Sequence, residues 1–360
     1  MSSTRDPHAA TNPGEHSSET YTALDQSAAL LERALFEVKR VLVGQDLMVE
    51  RMLVGLLARG HLLLEGVPGV AKTLAVRTLS DVTGGSFHRL QFTPDLMPGD
   101  IVGTRVWRPS TESFDIELGP VFANLVLADE INRAPAKVQS ALLEAMAERQ
   151  VSVGGHTYHL PEPFLVLATQ NPIESEGVYN LPEAQRDRFL MKVDVDYPDA
   201  AEELAILQRM SVDPPRSREV LSTAQVLALQ KAADRVFVHH AVAQYAVALV
   251  MATREPARYG VDPIAPHVEF GVSPRGTLAL VASARALALM RGRDYVLPRD
   301  VSDLASDVLS HRLVLSYDAI ADGVDARQVV AYLLSVVPTP QIAPQTALND
   351  SSGDQEAGAA

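Results

Sequence analysis

A short apolar segment followed by a glycine-containing loop constrains the fold of this chain most strongly. His61–Glu65 is nearly all apolar, and residues 66–73 read GVPGVAKT. Such a run predicts a strand buried on both faces of a parallel sheet, and Thr73–Leu79 has a helical pattern. A strand, a loop and a helix in this order can cradle a phosphate group, because loop N–H groups and the helix amino terminus point at it.

The residue types in the loop suit this task. Gly66 and Gly69 permit a tight turn. Lys72 supplies positive charge for the β- and γ-phosphates, and Thr73 supplies a hydroxyl for Mg²⁺. The general pattern has glycine before the lysine, where this chain has Ala71; alanine is acceptable if it has helical dihedral angles and its methyl points away from the nucleotide. The predicted nucleotide-binding residues are Gly66, Val67, Pro68, Gly69, Val70, Ala71, Lys72, Thr73 and Leu74.

Two further apolar runs end in polar residues. Leu125–Ala128 is followed by Asp129 and Glu130. A metal–nucleotide site needs one acid to hold Mg²⁺ through water, here Asp129, and another to orient and deprotonate the attacking water, here Glu130. Asn171 follows the run Phe164–Thr169 and would reach the γ-phosphate or the water if its strand neighbours that of Asp129. Taken alone, an Asn-Pro pair also fits an ordinary turn.

The apolar patterns divide the chain once. Up to Pro198, short apolar runs alternate with helical patterns, which predicts an α/β core with a parallel sheet. Beyond it, apolar residues recur at three-and-four spacing, which predicts a smaller all-helical domain. The helical segments are 201–210, 223–236, 240–253, 274–291 and 298–309. The predicted divisions are a disordered tail at 1–22, the α/β core at 23–198, the helical domain at 199–337 and a second disordered tail at 338–360.

Composition limits the possible classes of function. The chain has no cysteine, which excludes disulfides, thiol nucleophiles and cysteine-based zinc sites. Its formal net charge of -14 argues against broad binding to nucleic acid. The first twenty residues are polar, unlike a secretory signal. The longest apolar stretch, Val236–Thr253, is interrupted by two histidines and a glutamine, so we expect no membrane span and a cytoplasmic location.

Longer strings narrow the assignment to one family. They are DEINRAP (129–135), ALLEAM (141–146), TQNP (169–172), LPEAQ (181–185), DRF (187–189) and SPR (273–275). Over roughly residues 30–336 the chain resembles the MoxR family of AAA+ ATPases, in which alanine before the loop lysine is common. The resemblance implies a P-loop core with β-hairpin insertions, a helical lid, ATP and Mg²⁺ as ligands, and chaperone-like remodelling or maturation of protein complexes or metalloenzymes.

The resemblance also implies roles for single residues. Asn171 matches the family's sensor 1, Arg188 its arginine finger and Arg275 its sensor 2. Whether Arg275 acts on the nucleotide of its own subunit or of a neighbouring one is left open. A finger comes from the neighbouring subunit of a homo-oligomer, here a hexameric ring, and the family often works with a von Willebrand factor A domain protein. Arg186 competes for the finger role. Helical residues two apart point about 200° apart, so at most one should reach the nucleotide, and the DRF string favours Arg188.

Two segments have the pattern of β-hairpins. They are Val102–Val121 and Val151–Tyr158, the second with a Gly-Gly turn signal. Insertions of this kind in related machines line a pore or touch the client. Trp107 and Tyr158 either take part in this or only pack the hairpin base.

Other functions stay open at this point. The core would also suit a magnesium-chelatase-like motor subunit, or an ATPase directed at nucleic acid. A non-hydrolysing, nucleotide-gated binding module is a further alternative, although Glu130 argues against it because a switch that only binds needs no general base. The identity of the client is not predicted.

Overall fold

A five-stranded parallel sheet forms the centre of the α/β core. The computed structural model describes residues 13–171, 178–211 and 214–341. The strands are β1 (Leu62–Gly66), β2 (Phe87–Gln91), β3 (Gly103–Arg108), β4 (Ser113–Leu118), β5 (Leu125–Asp129), β6 (Gln150–Val153), β7 (His156–His159), β8 (Leu165–Gln170), β9 (Met191–Val195), β10 (Val268–Phe270) and β11 (Val314–Leu315). The central sheet has the order β2–β5–β8–β1–β9 with parallel neighbours, which confirms the predicted fold class.

Helices cover this sheet and build the rest of the chain. They are α1 (Pro13–Val41), α2 (Asp46–Leu57), α3 (Lys72–Val82), α4 (Pro98–Val102), α5 (Ala136–Glu148), α6 (Glu183–Arg186), α7 (Ala200–Met210), α8 (Thr223–Arg235), α9 (His240–Ala252), α10 (Pro274–Met290), α11 (Pro298–Leu309), α12 (Tyr317–Asp322) and α13 (Ala326–Val336). The five helices predicted after Pro198 are α7 to α11, each with ends within one residue of the prediction. In the described ranges, no helix is both long and apolar enough to cross a membrane.

The carboxyl ends of β1, β5 and β8 meet at one edge of the sheet. β8 pairs with both of the other strands, and Ala168 lies beside Ala128. The condition set for Asn171, that its strand neighbour the strand of Asp129, is therefore met. Open parallel sheets bind ligands at this edge, so the fold brings the polar segments after these three strands together.

The two faces of the sheet enter separate hydrophobic cores. Alternate strand residues point to opposite faces, so Leu62 and Leu64 enter one core and Leu63 the other. The first core also contains buried residues of α1, α2 and α3 and of the carboxyl-terminal helices. The second contains the buried face of α5 and residues of the hairpin β6–β7. Both faces of β1 are thus covered, which explains why its sequence is apolar without alternation.

Two details of the described structure differ from the predicted divisions. Residues 13–22, assigned to the disordered tail, form the start of α1. Leu31, Ala34 and Val38 anchor this helix in the core, and extending a helix costs less than nucleating one. The lid is also not entirely helical, because β10 and β11 pair antiparallel; strands of two and three residues are too short to show a period. Residues 1–12 and 342–360 of the predicted tails lie outside the described ranges.

Candidate active site

The loop after β1 is shaped by its glycines. A Cβ on Gly66 would come within 2.2 Å of the carbonyl oxygen of Val195 on β9, so only glycine lets the two strands lie this close. Gly69 has φ +87°, a conformation that side chains with a Cβ rarely adopt. The two glycines therefore have different purposes: Gly66 permits strand packing, and Gly69 permits the turn of the loop.

The backbone conformation of Ala71 differs from the helical one that the sequence predicted. The residue does not share the right-handed dihedral angles of α3, because its φ is 59° and its ψ is 22°, in the left-handed region. Glycine adopts this region freely, whereas a residue with a Cβ there costs about 1–2 kcal/mol. The general preference for glycine at this position thus has a steric reason, and the chain tolerates alanine at some cost in backbone strain.

The predicted binding residues surround one cleft at the edge where β1, β5 and β8 end. Its volume is about 440 Å³. The lining residues are Gly66, Pro68, Gly69, Val70, Ala71, Lys72, Thr73, Leu74, Arg89, Asp129, Glu130, Thr169, Gln170 and Asn171. Val67 is not among them, because it packs against the hydrophobic core. Segments that lie up to about a hundred residues apart in sequence therefore converge on one space with cationic, acidic and hydroxyl groups.

Lys72 is a half-buried residue of the cleft lining. Its Nζ donates a hydrogen bond to the carbonyl oxygen of Gly66 at 2.6 Å. Burial lowers the pKa of Lys72, and the nearby carboxylates of Asp129, Glu130 and Glu65 oppose this shift. A half-buried ammonium group among acids gains from an additional anionic ligand such as a phosphate.

Asp129 is held by two partners that the sequence analysis missed. Arg89 on β2 donates to Asp129 Oδ2 from Nη2 at 2.6 Å and from Nε at 3.1 Å. Thr169 on β8 donates its hydroxyl to Asp129 Oδ1 at 2.6 Å. The carboxylate of Asp129 and the hydroxyl of Thr73 line the same cleft, and oxygen ligands of these two kinds suit Mg²⁺. The residues present therefore fit the metal that the sequence implies.

Glu130 points to different partners from its neighbour. Its φ of 58° and ψ of 49° are left-handed, and its N–H donates to the hydroxyl of Thr169 at 2.9 Å. Glu130 Oε2 accepts hydrogen bonds from Gln91 Nε2 at 2.8 Å and from Arg133 Nη1 at 2.9 Å. The unusual backbone conformation separates the two acidic side chains, as expected for acids with different tasks. Non-glycine residues in this region cluster at functional sites.

An apolar pocket adjoins the cleft on the side of α7. Gly69, Val70, Ala71 and Leu74 line both spaces. The remaining lining residues are Val41, Leu42, Val43, Gln45, Pro198, Ile206 and Met210. A pocket of this composition suits a planar, largely apolar group joined to the phosphates. The segment after α1 shows no motif that would have identified it from sequence.

The two predicted arginines lie outside the cleft. Arg188 donates from Nη1 to the carbonyl oxygen of Leu143 on α5 at 3.1 Å. Arg275 lies in the first turn of α10, where Ser273 caps the helix as predicted. The Nη1 atom of Arg275 is 3.3 Å from Asp187 Oδ2. Neither side chain is among the residues that line the cleft of the same chain.

The helical argument that separated Arg186 from Arg188 is wrong. Arg186 is the last residue of α6, and Arg188 lies in the turn that follows it, so a helical angle does not relate them. Arg186 forms an ion pair with Glu183 at 3.6 Å. The assignment of the arginine finger to Arg188 or to Arg186 therefore depends on the DRF string and on the contacts of each side chain.

Both predicted hairpins are present, and their aromatic residues differ. β3 pairs with β4, and β6 pairs with β7. Tyr158 is partly buried and packs against Phe122, with ring centroids 6.4 Å apart. Trp107 is 49% exposed and contacts Phe114 with ring centroids 5.0 Å apart. Tyr158 therefore packs the base of its hairpin, whereas Trp107 presents its ring to solvent.

Comparison with known families agrees with this architecture. A family profile described as ATPase family associated with various cellular activities (AAA) matches residues 61–191. A second, described as AAA lid domain, matches residues 263–332. The first match spans the cleft from the start of β1 to the start of β9. The second covers the region of Arg275 and α11.

Relatives with high identity cover most of the chain. It is 61% identical over 312 residues to Chaperone MoxR1 of Mycobacterium tuberculosis, which covers 87% of this chain and 83% of that protein. It is 33% identical over 310 residues to Protein MoxR of Methylorubrum extorquens, covering 80% and 88%. A crystal structure from Cytophaga hutchinsonii has 43% identity and a TM-score of 0.85, covering 91% of this chain and 99% of that one. The chain belongs to the MoxR family of AAA+ ATPases.

Proposed function

We propose that this protein hydrolyses ATP with Mg²⁺ and uses the cycle to remodel or mature protein complexes. The observation that carries the proposal is the convergence of the phosphate loop, two acids and Asn171 on one cleft at the ends of β1, β5 and β8. A site that only bound a nucleotide would need the loop and the lysine, but not a second acid in a separate orientation.

The side chains divide the work of hydrolysis. The loop from Gly66 binds phosphates through backbone N–H groups, and Lys72 adds positive charge. Thr73 and Asp129 would hold Mg²⁺, which neutralises phosphate charge when bound. Glu130 is the general base that orients a water molecule and accepts its proton. Gln91 and Arg133 both donate to Glu130 Oε2, so these contacts set the orientation from which the carboxylate acts.

The remaining groups complete the reaction from other directions. Asn171 follows β8, the strand between β1 and β5, and positions the water or the γ-phosphate. The apolar pocket beside Val70 receives the adenine base. Arg188 is the arginine finger, supplied to the cleft of a neighbouring copy in a hexameric ring. Its position outside the cleft of its own chain supports this assignment. Arg275 contributes from the lid.

The proposed client is a protein or a protein complex. A relative with 61% identity carries the name Chaperone MoxR1, which supports chaperone-like action on a protein. A von Willebrand factor A domain protein is the proposed partner, following the family resemblance. The exposed pair of Trp107 and Phe114 on the first hairpin offers an apolar contact for such a chain.

Steady-state phosphate release tests the proposal directly. The wild-type protein should release phosphate from Mg-ATP, and Lys72→Ala should remove both tight nucleotide binding and release. Binding of ATP without release by the wild type would favour the non-hydrolysing module instead. Affinity capture with Glu130→Gln and ATP, compared with Lys72→Ala and ATP, should then enrich the client only in the first sample.

A further inference from the structure

A buried arginine of the lid contacts the turn that carries Arg188. The side chain of Arg312 is 2% exposed, and it follows α11 in the lid. Arginine has five N–H donors in a fixed fork, and each one here has an acceptor. The acceptors are Asp187 Oδ1 at 3.0 Å, Leu190 O at 3.1 Å, Asp187 O at 3.4 Å, Phe189 O and Val308 O. Four of these five belong to the α/β core.

The four core acceptors bracket Arg188 in sequence. Arg312 binds the backbone carbonyls of Asp187 on one side and of Phe189 and Leu190 on the other. Arg188 lies between them, and its own guanidinium is directed to Leu143 O. The backbone from which Arg188 extends is therefore fixed to the lid rather than only to its own core.

The carboxylate of Asp187 extends this connection to α10. Ser273 donates its hydroxyl to Asp187 Oδ1 and Oδ2, each at 3.0 Å, and also caps the helix that begins with Pro274. Arg275 in the same turn is 3.3 Å from Asp187 Oδ2. One carboxylate thus joins the turn of Arg188, the start of α10 and the buried Arg312.

Burial of this arginine has a cost that its contacts must offset. Burial lowers the pKa of Arg312 to about 10, although the adjacent Asp187 opposes the shift. The group stays charged at neutral pH, and a buried charge is stable only when it is paired and fully hydrogen-bonded. Loss of the fork geometry would leave carbonyl oxygens without donors and free the turn to shift.

A second buried arginine shows that joining core to lid does not require contact with this turn. Arg51 on α2 binds Asp307 Oδ2 at 2.7 Å and Asp303 O at 2.8 Å, and its side chain is 5% exposed. Both acceptors lie on α11. Arg51 therefore resembles Arg312 in burial and in bridging, but its hydrogen bonds to the lid avoid residues 187–190.

We propose that Arg312 is a positioning residue for hydrolysis in a neighbouring subunit. It fixes the turn 187–190 to the lid, so that the lid decides where Arg188 points and a lid movement shifts the finger with it. This inference rests on the proposed role of Arg188 as the arginine finger. Arg312 does not line the cleft, and it acts only through the turn that carries Arg188, by way of the Asp187 carboxylate and the backbone carbonyls on either side of Arg188.

Arg312→Lys tests the inference because lysine keeps the charge but lacks the planar fork. We expect phosphate release at saturating ATP to fall about 10²-fold, as for a catalytic group displaced by about 1 Å, with unchanged affinity for a fluorescent ATP analogue. The matched control is Arg51→Lys, which should lower the melting temperature and keep the wild-type rate. Equal rates in the two variants would overturn the inference.

Mixed assemblies separate a positioning role from a general loss of stability. Arg312→Lys subunits retain an intact cleft, and Glu130→Gln subunits retain an intact finger. An equal mixture, after subunit exchange, should therefore release phosphate faster than the sum of the separate proteins. No gain in this mixture, when a mixture of Arg188→Ala with Glu130→Gln does gain, would contradict the role of Arg312 alone.

The remaining outcomes are also decisive. No gain in either mixture would contradict the trans role of Arg188, and with it the proposed function. If Arg312→Lys does not fold, Asp187→Asn replaces it in the same two measurements, because it weakens the ionic contact with Arg312 and keeps the backbone carbonyls. A wild-type rate in folded Asp187→Asn would overturn the inference.

Discussion

The cleft and the turn of residues 187–190, which we call the arginine turn, represent two different kinds of site in one chain. In the cleft, the loop after β1 and residues at the ends of β2, β5 and β8 line the same space and are close enough to contact one ligand. At the turn, Arg188 and the adjacent Arg275 of α10 contact groups of their own chain, and neither lines that space. The cleft has two acidic side chains, but its described lining residues include no cationic side chain besides Lys72 and Arg89.

The difference explains why hydrolysis should depend on assembly. A transferring phosphoryl group spreads negative charge, and an arginine that stabilises it can accelerate the reaction about 10³–10⁵-fold. Arg89 in the cleft is already paired with Asp129, so it is less free to take this role. We therefore propose that the additional cation comes from another copy of the chain, and that the lid contacts of residues 187–190 control its position.

Among the proposed substitutions, Arg188→Ala should have the largest effect on the rate of ATP hydrolysis. We expect hydrolysis to fall on the order of 10³-fold or more, because the transition-state charge loses its guanidinium, while ATP affinity stays near the wild-type value. Phosphate release and binding of a fluorescent analogue measure the two quantities. Arg186→Ala is the matched control, and a large loss there with a wild-type rate in Arg188→Ala would reverse the assignment.

Glu130→Gln should have the next largest effect, and it acts from inside the cleft. The amide cannot accept the proton of the water, so turnover should fall by about 10²–10⁴-fold, with ATP still bound. The exposed Glu148→Gln on α5 provides a control with the same chemical change. Undiminished turnover in Glu130→Gln would remove the general base from the account.

Arg89→Gln should shift the metal dependence of the cleft. Arg89 and Mg²⁺ compete for Asp129, so removing the guanidinium should lower the Mg²⁺ concentration for half-maximal activity. A partly exposed ion pair contributes about 1 kcal/mol, which corresponds to a shift of about fivefold. Mg²⁺ titrations of phosphate release check it, with Arg108→Gln in the first hairpin as control. A higher Mg²⁺ requirement would mean that Arg89 assists the metal.

Ala71→Gly should have the smallest effect. Relief of the left-handed strain should stabilise the fold by about 0.5 kcal/mol after the larger entropy of glycine in the unfolded chain is included. Urea denaturation measures it, and Ala228→Gly within α8 should instead destabilise the protein by about 1 kcal/mol. Equal destabilisation by both substitutions would contradict the strain assigned to Ala71.

Local sequence patterns predicted most residues that line the cleft, because these residues lie directly after apolar strands. The run before Gly66 and the acids after Ala128 follow from strand burial and from phosphate chemistry, without knowledge of the tertiary fold. Arg89 and Gln91 were missed because a strand with polar side chains resembles any exposed strand. Only the pairing of β2 with β5 brings them to the acids.

The arginine turn was predicted only as a motif. Arg312 and Asp187 lie 125 residues apart, and no local pattern connects them. The dihedral angles of Ala71 were missed for a related reason, since the sequence shows a loop joining a helix but not the residue at which right-handed geometry begins. Long-range contacts and single dihedral angles are set by packing, so they required the structure.

The most direct test of the account is the rate of an equal mixture of Glu130→Gln and Arg188→Ala. Each variant alone should be nearly inactive, the first for lack of a base and the second for lack of a finger. If a second copy completes the cleft, the exchanged mixture should release phosphate well above the sum of the two proteins measured separately. A mixture that only matches that sum would contradict the claim that Arg188 acts between subunits.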